Sequence, residues 1–312
     1  MLRITTAALA LLASALAAPA EPFRFVAIGD MPYGKPEEVY RPFEALIGAI
    51  NAAAPDLVLH IGDTKSGGTP CSDQMLADQL NYLNSFASPL LYTPGDNEWT
   101  DCHRKNAGGF DPLERLAHLR QTYFADPATS FGKAPVAVES QADRGYPENV
   151  RLLHKEVMFV TAHVVGSNNN FEPRDIKAVE EFMARDDANV RWLRRGFEAA
   201  ATADAKAMVV AIQADMFEFD WNAFGDETWL RHSGFGRFGA ALQEAAAAFG
   251  KPVLLVYGDS HIFRLTRPFP KTAPNLVALE VFGDKDMHAT IVTADPATRE
   301  VFSFGTLLNP AM

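Results

Sequence analysis

Residues 91–103 read LYTPGDNEWTDCH, and they join the end of a strand-like run to a group of reactive side chains. The apolar start breaks at a Pro-Gly pair and is followed by Asp96, Asn97 and Glu98. In α/β sheets, ligands bind beyond the carboxyl ends of the strands, so acidic side chains in this position favour a functional loop. An ordinary turn uses the same residue types, and the stretch alone does not decide between the two.

The same ending recurs after other strand-like runs of the chain. A Gly-Asp pair closes FRFVAIGD at Asp30, DLVLHIGD at Asp63, VLLVYGD at Asp259 and VALEVFGD at Asp284, and VVAIQAD adds Gln213 and Asp215. Carboxylates brought to one rim repel each other unless they share a cation or protons. The glycine before each aspartate lets the backbone turn sharply and approach a ligand closely. The recurrence therefore favours a metal site over a set of unrelated turns.

Apolar runs of strand length alternate with helical patterns up to residue 258. The strand-like runs cover 23–28, 56–61, 89–93, 157–165, 207–212 and 253–257, and the helical patterns cover 36–52, 73–86, 111–124, 174–202 and 226–249. This alternation predicts a sheet covered by helices. Residues 126–150 are less regular, and we expect a loop with one short strand at 134–139. The segment GSNNNFEPRD at 166–175 is typical of a turn with unusual backbone angles.

The alternation of strand-like and helical patterns ends after residue 258. Strands are expected at 261–266, 276–282, 287–294 and 299–305, with DPAT at 295–298 as a hairpin turn. These strands follow one another without helices, which favours antiparallel pairing. No repeat or linker divides the chain, so residues 21–312 are predicted to form a single α/β domain with two sheets.

Composition limits the class of protein. The 312 residues are 48% hydrophobic and 21% charged, which is typical of a globular protein. The formal net charge is −11 and there is no Lys/Arg cluster. Such a surface is unsuited to binding duplex nucleic acid or anionic lipid, although a metal ion would supply a local positive site. The sequence does not indicate an oligomeric state.

The first twenty residues predict the compartment. The stretch MLRITTAALALLASALAAPA places Arg3 before an Ala/Leu core and ends in a small-residue cleavage site. We expect residues 1–20 to be a signal peptide and the mature protein to be exported, periplasmic or extracellular, and without a stable membrane anchor. A buried N-terminal helix is the alternative.

Cys71 and Cys102 are the two cysteines of the chain. In an oxidising compartment such a pair favours a disulfide over two free thiols. A zinc site is the weaker alternative, because neither cysteine has the CxxC or paired-His spacing of structural zinc sites.

The order of motifs resembles that of the calcineurin-like metallophosphoesterases. The matching stretches are GDMP at 29–32, GD at 62–63, GDNE at 95–98, IQAD at 212–215 and GDSH at 258–261. The resemblance covers about residues 23 to 305. It implies a four-layer αββα sandwich, in which two mixed β-sheets are flanked by helices, with a two-metal site at the strand ends.

Several family positions carry different residues here. Asp30, Asp63 and His261 match the family pattern. The exchanged positions are Pro32 for a histidine, Asp96 for an asparagine, Asn97 for a histidine, Gln213 for a histidine and Asp259 for a histidine. The resemblance implies that one metal is bound by Asp30, Asp63 and His261. The other would be bound by Asp63, Asp96, Asp259 and the Gln213 carbonyl.

The exchanges predict a hard metal ion, and the resemblance implies a phosphate substrate. Oxygen ligands suit Mg, Ca and Mn, whereas imidazole suits Zn and Fe. We therefore expect one or two divalent ions per chain, Mn or Mg first, with Ca, Fe and Zn as alternatives. The resemblance implies hydrolysis of a small-molecule phosphate mono- or diester. Metal is a condition for this activity, because the bare acidic site would repel phosphate.

The loop 91–103 and its continuation supply the candidates for catalysis. Asn97 offers a hydrogen bond but no proton. His103 is the candidate proton donor and Arg104 the candidate phosphate contact. An exposed loop histidine and an arginine paired with Asp101 are the alternatives. We expect Glu98 to support the site through the backbone.

Three ring side chains are expected to be structural: Trp99 as a core residue, and His60 and His163 as buried strand histidines. A second class of function also fits the sequence. The lost histidines are compatible with a binding or structural protein that keeps the phosphoesterase fold without turnover.

Overall fold

The computed structural model describes residues 21–217 and 234–312, which contain twelve strands in two mixed sheets. The first sheet comprises β1 (Phe23–Ile28), β2 (Leu57–His60), β3 (Leu90–Tyr92), β11 (Ala289–Ala294) and β12 (Phe302–Leu307), in the order β12-β11-β1-β2-β3. The second comprises β4 (Glu139–Gln141), β5 (Tyr146–His154), β6 (Val157–Thr161), β7 (Ala207–Ala211), β8 (Val253–Tyr257), β9 (Arg264–Thr266) and β10 (Leu276–Glu280), in the order β4-β5-β6-β7-β8-β10-β9.

Within the described residues, five helices of more than ten residues cover the outer faces of the sheets. They are α1 (Pro36–Ala53), α2 (Asp73–Leu83), α3 (Pro112–Tyr123), α4 (Ile176–Thr202) and α5 (Gly236–Phe249). Local sequence sets where they begin. Asp111 and Asp175 cap α3 and α4 by accepting hydrogen bonds from Leu113 N and Lys177 N, at 2.8 and 2.9 Å.

Alternating strand residues create three buried layers. In β1, Val26 and Ile28 pack toward α1–α3, whereas Phe25 and Ala27 pack toward the second sheet. The outer face of the second sheet packs on α4 and α5 through residues such as Leu193. The layers are thus helices, sheet, sheet and helices, and the predicted four-layer sandwich is confirmed. The assignment of 21–312 to one domain stays a prediction.

The largest error of the sequence prediction concerns residues 134–154. The strand expected at 134–139 is wrong, since β4 starts only at Glu139, and β5 was not expected at all. The sequence of β5 hides its burial, because Glu148 and Asn149 are fully buried polar residues in its centre. An apolar periodicity is therefore missing where the strand enters the core.

Smaller differences concern element ends. The strand expected from residue 261 begins at Arg264, because His261 has a left-handed φ of 61°. Of the helix expected at 226–249, residues 226–233 lie outside the described part, and α5 covers the rest from Gly236. Within residues 21–217 and 234–312, none of the helices combines the length and the apolar character that crossing a membrane requires.

Candidate metal centre

The parallel strands of both sheets bring four aspartates to one rim. Asp30, Asp63, Asp96 and Asp259 follow β1, β2, β3 and β8, and we call them the strand-end cluster. One carboxylate oxygen each from Asp63, Asp96 and Asp259 lies within 4.8 Å of the others. Asp30 joins them through its Oδ2, which accepts a hydrogen bond from Asp259 N at 3.0 Å.

The backbone adopts unusual angles to present these carboxylates. Asp30, Asp63 and Asp259 have φ values of 53°, 56° and 79°, a region that non-glycine residues seldom occupy. The glycines of the motifs provide the space. A Cβ on Gly95 would overlap Asp63 Oδ1, and one on Gly258 would overlap Asp30 Oδ2. Strain and close packing of this kind mark functional sites.

Asp63 is held by three donors. Its Oδ2 accepts hydrogen bonds from the Tyr33 hydroxyl at 2.6 Å and from Asn97 Nδ2 at 2.5 Å. Its Oδ1 accepts one from Asn97 N at 3.1 Å. The Asn97 amide nitrogen also donates to the Tyr33 hydroxyl at 2.7 Å, so Asn97, Tyr33 and Asp63 form a closed triangle of hydrogen bonds. Sequence reasoning missed Tyr33, which no motif singles out.

Glu98 braces the loops from beneath. The fully buried carboxylate accepts hydrogen bonds from Gly95 N at 2.9 Å, Asp63 N at 3.2 Å and the Thr64 hydroxyl at 2.7 Å. It therefore ties the chain after β2 to the chain after β3, as the sequence prediction of backbone support expected. Trp99 is fully buried in the core, also as expected.

Asp96 is connected to a side chain that the sequence did not single out. Ser167 Oγ lies 2.7 Å from Asp96 Oδ2 and 2.9 Å from Asp101 Oδ1. Asp101 in turn pairs with Arg104, with 2.6 Å between Asp101 Oδ2 and Arg104 Nη1. Ser167 opens a left-handed turn of four residues, 167–170, with φ values between 49° and 59°. The run of asparagines explains the turn, because asparagine tolerates this conformation.

Gln213 and His261 lie beside the strand-end cluster but are engaged by neighbours. The Gln213 Oε1 accepts a hydrogen bond from Gly166 N at 2.6 Å, while its Nε2 donates to Asp259 Oδ1 at 3.3 Å. His261 Nδ1 lies 2.9 Å from Asp284 Oδ1, and its ring packs edge-on against Tyr33. The contact with Asp284 orients the imidazole and directs Nε2 away from that carboxylate.

Burial and mutual repulsion raise the pKa values of three aspartates of the strand-end cluster. Burial, followed by the charge of Asp259, raises the pKa of Asp30 well above its ordinary value. Burial and the charge of Asp96 do the same to the pKa of Asp63. Burial and the charge of Asp101 raise the pKa of Asp96 to about 6. Each shift expresses the cost of holding these carboxylates charged without a cation.

The donor set fits a hard divalent cation. Among the described residues, Asp30 Oδ1 and Asp96 Oδ1 are buried and have no hydrogen-bond partner. Buried carboxylate oxygens are normally paired, so these two are aimed at something else. Carboxylates are the preferred ligands of Mg²⁺, Ca²⁺ and Mn²⁺.

A buried lysine adjoins the cluster. Lys65 is 1% exposed, and its Nζ donates a hydrogen bond to Ser66 O at 3.2 Å. Burial lowers the pKa of Lys65, while Glu98 and Asp63 oppose the shift. Nothing in the sequence around Lys65 indicates burial, because a lysine two residues after a Gly-Asp turn is usually solvated. Its ammonium offsets part of the acidic charge beneath the site.

A polar cavity of about 410 Å³ lies over the cluster. Its lining consists of Tyr33, Gly67, Gly68, Asp96, Asn97, Asp101, Arg104, Asn106, Ser167, Asp259 and His261. A larger cavity of about 800 Å³ lies between the free edges of the two sheets, away from the strand-end cluster. The carboxylates that line the smaller cavity, and not the size of a cavity, therefore identify the candidate site.

The candidate phosphate contact, Arg104, and the candidate proton donor, His103, line different cavities in part. Arg104 lines the polar cavity while paired with Asp101. His103 is exposed, its Nδ1 lies 2.6 Å from Thr100 O, and it lines a neighbouring cavity instead. Because a carbonyl only accepts, His103 Nδ1 carries the hydrogen and Nε2 is the free nitrogen.

The predicted disulfide is confirmed. Cys71 and Cys102 are bonded, and they join the loop after β2 to the loop after β3. The connection is reinforced by a hydrogen bond of 2.9 Å from Cys71 N to Ala107 O. The disulfide therefore holds together the two loops that carry Gly67 and Arg104.

Residues 23–262 match the family model described as calcineurin-like phosphoesterase. The match covers more than half of the chain, and the protein belongs to the calcineurin-like phosphoesterase family. The family that the order of motifs predicted is thereby confirmed. A comparison with curated protein sequences returned no match.

The chain is similar to three solved structures at low identity. Purple acid phosphatase PPD1 from yellow lupin (Lupinus luteus) seeds is 12% identical, with a TM-score of 0.52 and coverage of 94% of this chain and 55% of that one. GAP50, the anchor in the inner membrane complex of Plasmodium, is 12% identical, with a TM-score of 0.49 and coverage of 92% and 89%. A 5′-nucleotidase from Candida albicans SC5314 is 11% identical, with a TM-score of 0.45 and coverage of 92% and 52%. The chain thus spans about half the length of the lupin and Candida proteins.

Proposed function

We propose that the protein is an exported, divalent-metal-dependent hydrolase of small phosphate mono- or diesters. The observation that carries this proposal is the strand-end cluster. Three of its carboxylates approach within 4.8 Å, and two of its buried oxygens lack partners among the described residues. An arrangement so costly to the metal-free protein is consistent with a resident cation.

The residues that would hold metal are Asp30, Asp63, Asp96, Asp259 and His261, with Gln213 at the margin. When bound, a divalent cation neutralises the carboxylates, polarises a phosphoryl oxygen and lowers the pKa of water. Gln213 is the weakest candidate, because its carbonyl already accepts from Gly166 N. Mn²⁺ and Mg²⁺ suit the oxygen donors best.

The remaining groups bind and orient the ester. Arg104 has a half-exposed guanidinium at the polar cavity and is placed to contact phosphate oxygens. Asn97 keeps Asp63 in place through its amide and backbone N–H groups. His103, with both ring nitrogens protonated as an imidazolium, is the group we assign to give a proton from Nε2 to the departing alcohol.

Export rests on two observations. The sequence of residues 1–20 has the pattern of a signal peptide. The Cys71–Cys102 disulfide is typical of an oxidising compartment. Finding the protein in an osmotic-shock or secreted fraction, shortened by its first twenty residues, would support export. A full-length chain retained in the cytoplasm would contradict it.

Metal content and turnover test the function together. Elemental analysis of purified protein should find a divalent metal, and 4-nitrophenyl phosphate or its bis-ester should be hydrolysed with added Mn²⁺ or Mg²⁺. Asp63→Asn should lose more than about 100-fold in metal affinity, since even outer partners of metal ligands cost about 10–100-fold. Asp143→Asn, an exposed aspartate beside Arg144, is the matched control.

The second candidate function is a binding protein without turnover. Two of the exchanged residues favour this function. The Asn97 amide and the Gln213 carbonyl are both hydrogen-bonded to protein partners, and so they are engaged in holding the fold. Stoichiometric metal without hydrolysis of either ester would select this function. Absence of metal and of hydrolysis under every condition would reject the hydrolase and leave the binding protein.

A further inference from the structure

A second cavity of about 570 Å³ adjoins the polar cavity. The two share three lining residues, Asp101, Arg104 and Ser167, which we call the dividing wall. The wall is continuous, because Ser167 Oγ lies 2.9 Å from Asp101 Oδ1 and Asp101 Oδ2 lies 2.6 Å from Arg104 Nη1. One layer of side chains therefore separates the cavity above the carboxylates from its neighbour.

The two cavities differ in chemistry. Among the described residues that line the polar cavity, no aliphatic side chain is present. The neighbouring cavity instead has an apolar floor formed by Phe110, Pro112, Leu113 and Ala178. Phe110 and Leu113 are half-buried, so each offers a face to the cavity. A phosphoryl group suits the first cavity, and an apolar ring suits the second.

Acidic groups around the neighbouring cavity are already used by the fold. Asp111 and Asp175 cap α3 and α4 through their Oδ1 atoms. Glu172 pairs with Arg174, at 2.8 Å between Oε2 and Nη2. The lining carries four carboxylates, Asp101, Asp111, Glu172 and Asp175, against the two cations Arg104 and Lys177. This excess of negative charge disfavours a second anionic group, so a neutral occupant is favoured.

We propose that the neighbouring cavity binds the alcohol portion of the ester, and that this portion is an uncharged, ring-bearing group of about nucleoside size. The inference rests on the proposed phosphoesterase function and adds its substrate class. A phosphoryl group over the strand-end cluster and a ring against Phe110 and Leu113 would lie on either side of the dividing wall, with the ester bond passing over its half-exposed member Arg104. Arg104, which belongs to both cavities, would contact the ester at the junction.

The placement of His103 agrees with this orientation. In hydrolysis, a water oxygen forms the new bond to phosphorus, and the bond from phosphorus to the alcohol oxygen breaks with its electron pair on that oxygen. The alcohol then leaves with one proton, and water supplies the balancing hydroxyl on phosphate. His103 lines the cavity where the alcohol would leave, which is where a proton donor is needed.

Substrate preference tests the proposal. The comparison uses adenosine 5′-monophosphate and glycerol 3-phosphate with the full mature protein and Mn²⁺. We expect higher kcat/KM for the nucleotide, because glycerol lacks a ring to contact the apolar floor. Leu113→Trp should fill the cavity and lower the ratio of the two kcat/KM values about tenfold, a typical cost of a lost apolar pocket contact. Leu113→Ala should lower the ratio as well, by removing the contact without adding bulk.

The matched control is Leu153→Trp, since Leu153 is 45% exposed on β5 and lines neither cavity. A ratio that stays constant in both Leu113 variants would overturn the proposal while leaving the proposed function intact. Loss of turnover on every phosphate ester in the unsubstituted protein would instead contradict the proposed function. The cavity is then tested without turnover, by calorimetric binding of adenosine. Binding that weakens about tenfold in Leu113→Trp supports the cavity, and no binding to the unsubstituted protein overturns it.

Discussion

Two groups of buried charge in this protein are organised in opposite ways. The first is the Glu148 network, in which the fully buried Glu148 accepts hydrogen bonds from Arg120 Nε at 3.1 Å and faces His163 Nδ1 at 2.8 Å. Although burial raises it, Arg120 and His163 together lower the pKa of Glu148 to about 2. The Glu148 carboxylate thus meets an opposite charge from Arg120 and a hydrogen-bonding partner in His163, which is typical of a structural role, although His163 Nε2 has no hydrogen-bond partner among the described residues.

The strand-end cluster shows the reverse pattern. Three of its members, Asp30, Asp63 and Asp96, are also buried, but like charges face each other and the pKa values of these three rise. The comparison teaches that burial of a charge is not itself a sign of function. A buried charge that the protein satisfies stabilises the fold, whereas one that the protein leaves unsatisfied points to a missing ligand.

The largest expected effect concerns the network. Glu148→Gln removes the carboxylate and leaves Arg120 partly buried without its counter-charge. We expect the free energy of unfolding to fall by about 3–5 kcal/mol, the usual cost of breaking a buried ion pair from one side. Urea denaturation measures the change. Glu139→Gln is the control, because Glu139 pairs with Arg151 at an exposed position and should cost under about 1 kcal/mol. Equal losses in both variants would contradict the distinction.

Metal should stabilise the strand-end cluster and leave the network unaffected. A divalent ion that binds only the folded state, at 100 times its dissociation constant, adds about 2.7 kcal/mol to the free energy of unfolding. Removing the ion with a chelator should reverse this gain. Asp96→Asn should lose most of the gain, yet be more stable than the unsubstituted protein without metal, because one repelling charge is gone. Calorimetry with and without Mn²⁺ measures both effects, and a less stable metal-free Asp96→Asn would count against repulsion.

The two groups should also respond oppositely to pH. The folded-state pKa of Asp96 is raised from 3.8 to about 6, so the folded protein retains a proton that the unfolded chain releases in this window. Stability of the metal-free protein should therefore decline as pH rises from about 4 to about 6. The pKa of Glu148 is lowered from 4.5 to about 2, so its contribution is present above pH 4.5 and is lost as pH falls toward 2.

Two variants distinguish the contributions of Asp96 and Glu148 to the dependence of stability on pH. Asp96→Asn should flatten the decline between pH 4 and 6, and Glu148→Gln should flatten the loss on the acid side. Saturating Mn²⁺ should also remove the first slope, because a bound cation keeps the carboxylates charged. Melting temperatures across the range measure all three, and a slope near pH 5 that survives in Asp96→Asn would assign it to other groups.

The sequence predicted the rim of aspartates because their spacing is local information. Each Gly-Asp pair sits at the end of an apolar run, and parallel pairing brings such ends together without further detail. The alternation of strands and helices predicted a sheet covered by helices, and the four layers were implied by the resemblance to the calcineurin-like metallophosphoesterases. The disulfide followed from counting two cysteines in a chain with an export-like start.

The features that the sequence did not predict depend on contacts between segments that are distant along the chain. Ser167 lies 71 residues from Asp96, and nothing near it in sequence indicates that its hydroxyl reaches the rim. Tyr33 and Lys65 gain their roles only when the loops after β1, β2 and β3 pack together. The strand β5 was missed for a related reason, since Glu148 looks like a surface residue until Arg120 and His163 are brought to it.

The smallest expected effect concerns Ser167, where hydroxyl and backbone contributions are separable. Ser167→Ala removes the hydroxyl between Asp96 and Asp101 and should cost about 1 kcal/mol of unfolding free energy. Ser167→Gly removes the same hydroxyl but relieves the left-handed φ of 49°, a relief of about 1–2 kcal/mol for a non-glycine residue. The glycine variant should therefore be more stable than the alanine variant, although glycine also loosens the unfolded chain by about 0.4–1 kcal/mol. Denaturant titrations of the two variants measure the difference. If glycine costs as much as alanine, the turn is not strained, and the hydroxyl alone connects this loop to the strand-end cluster.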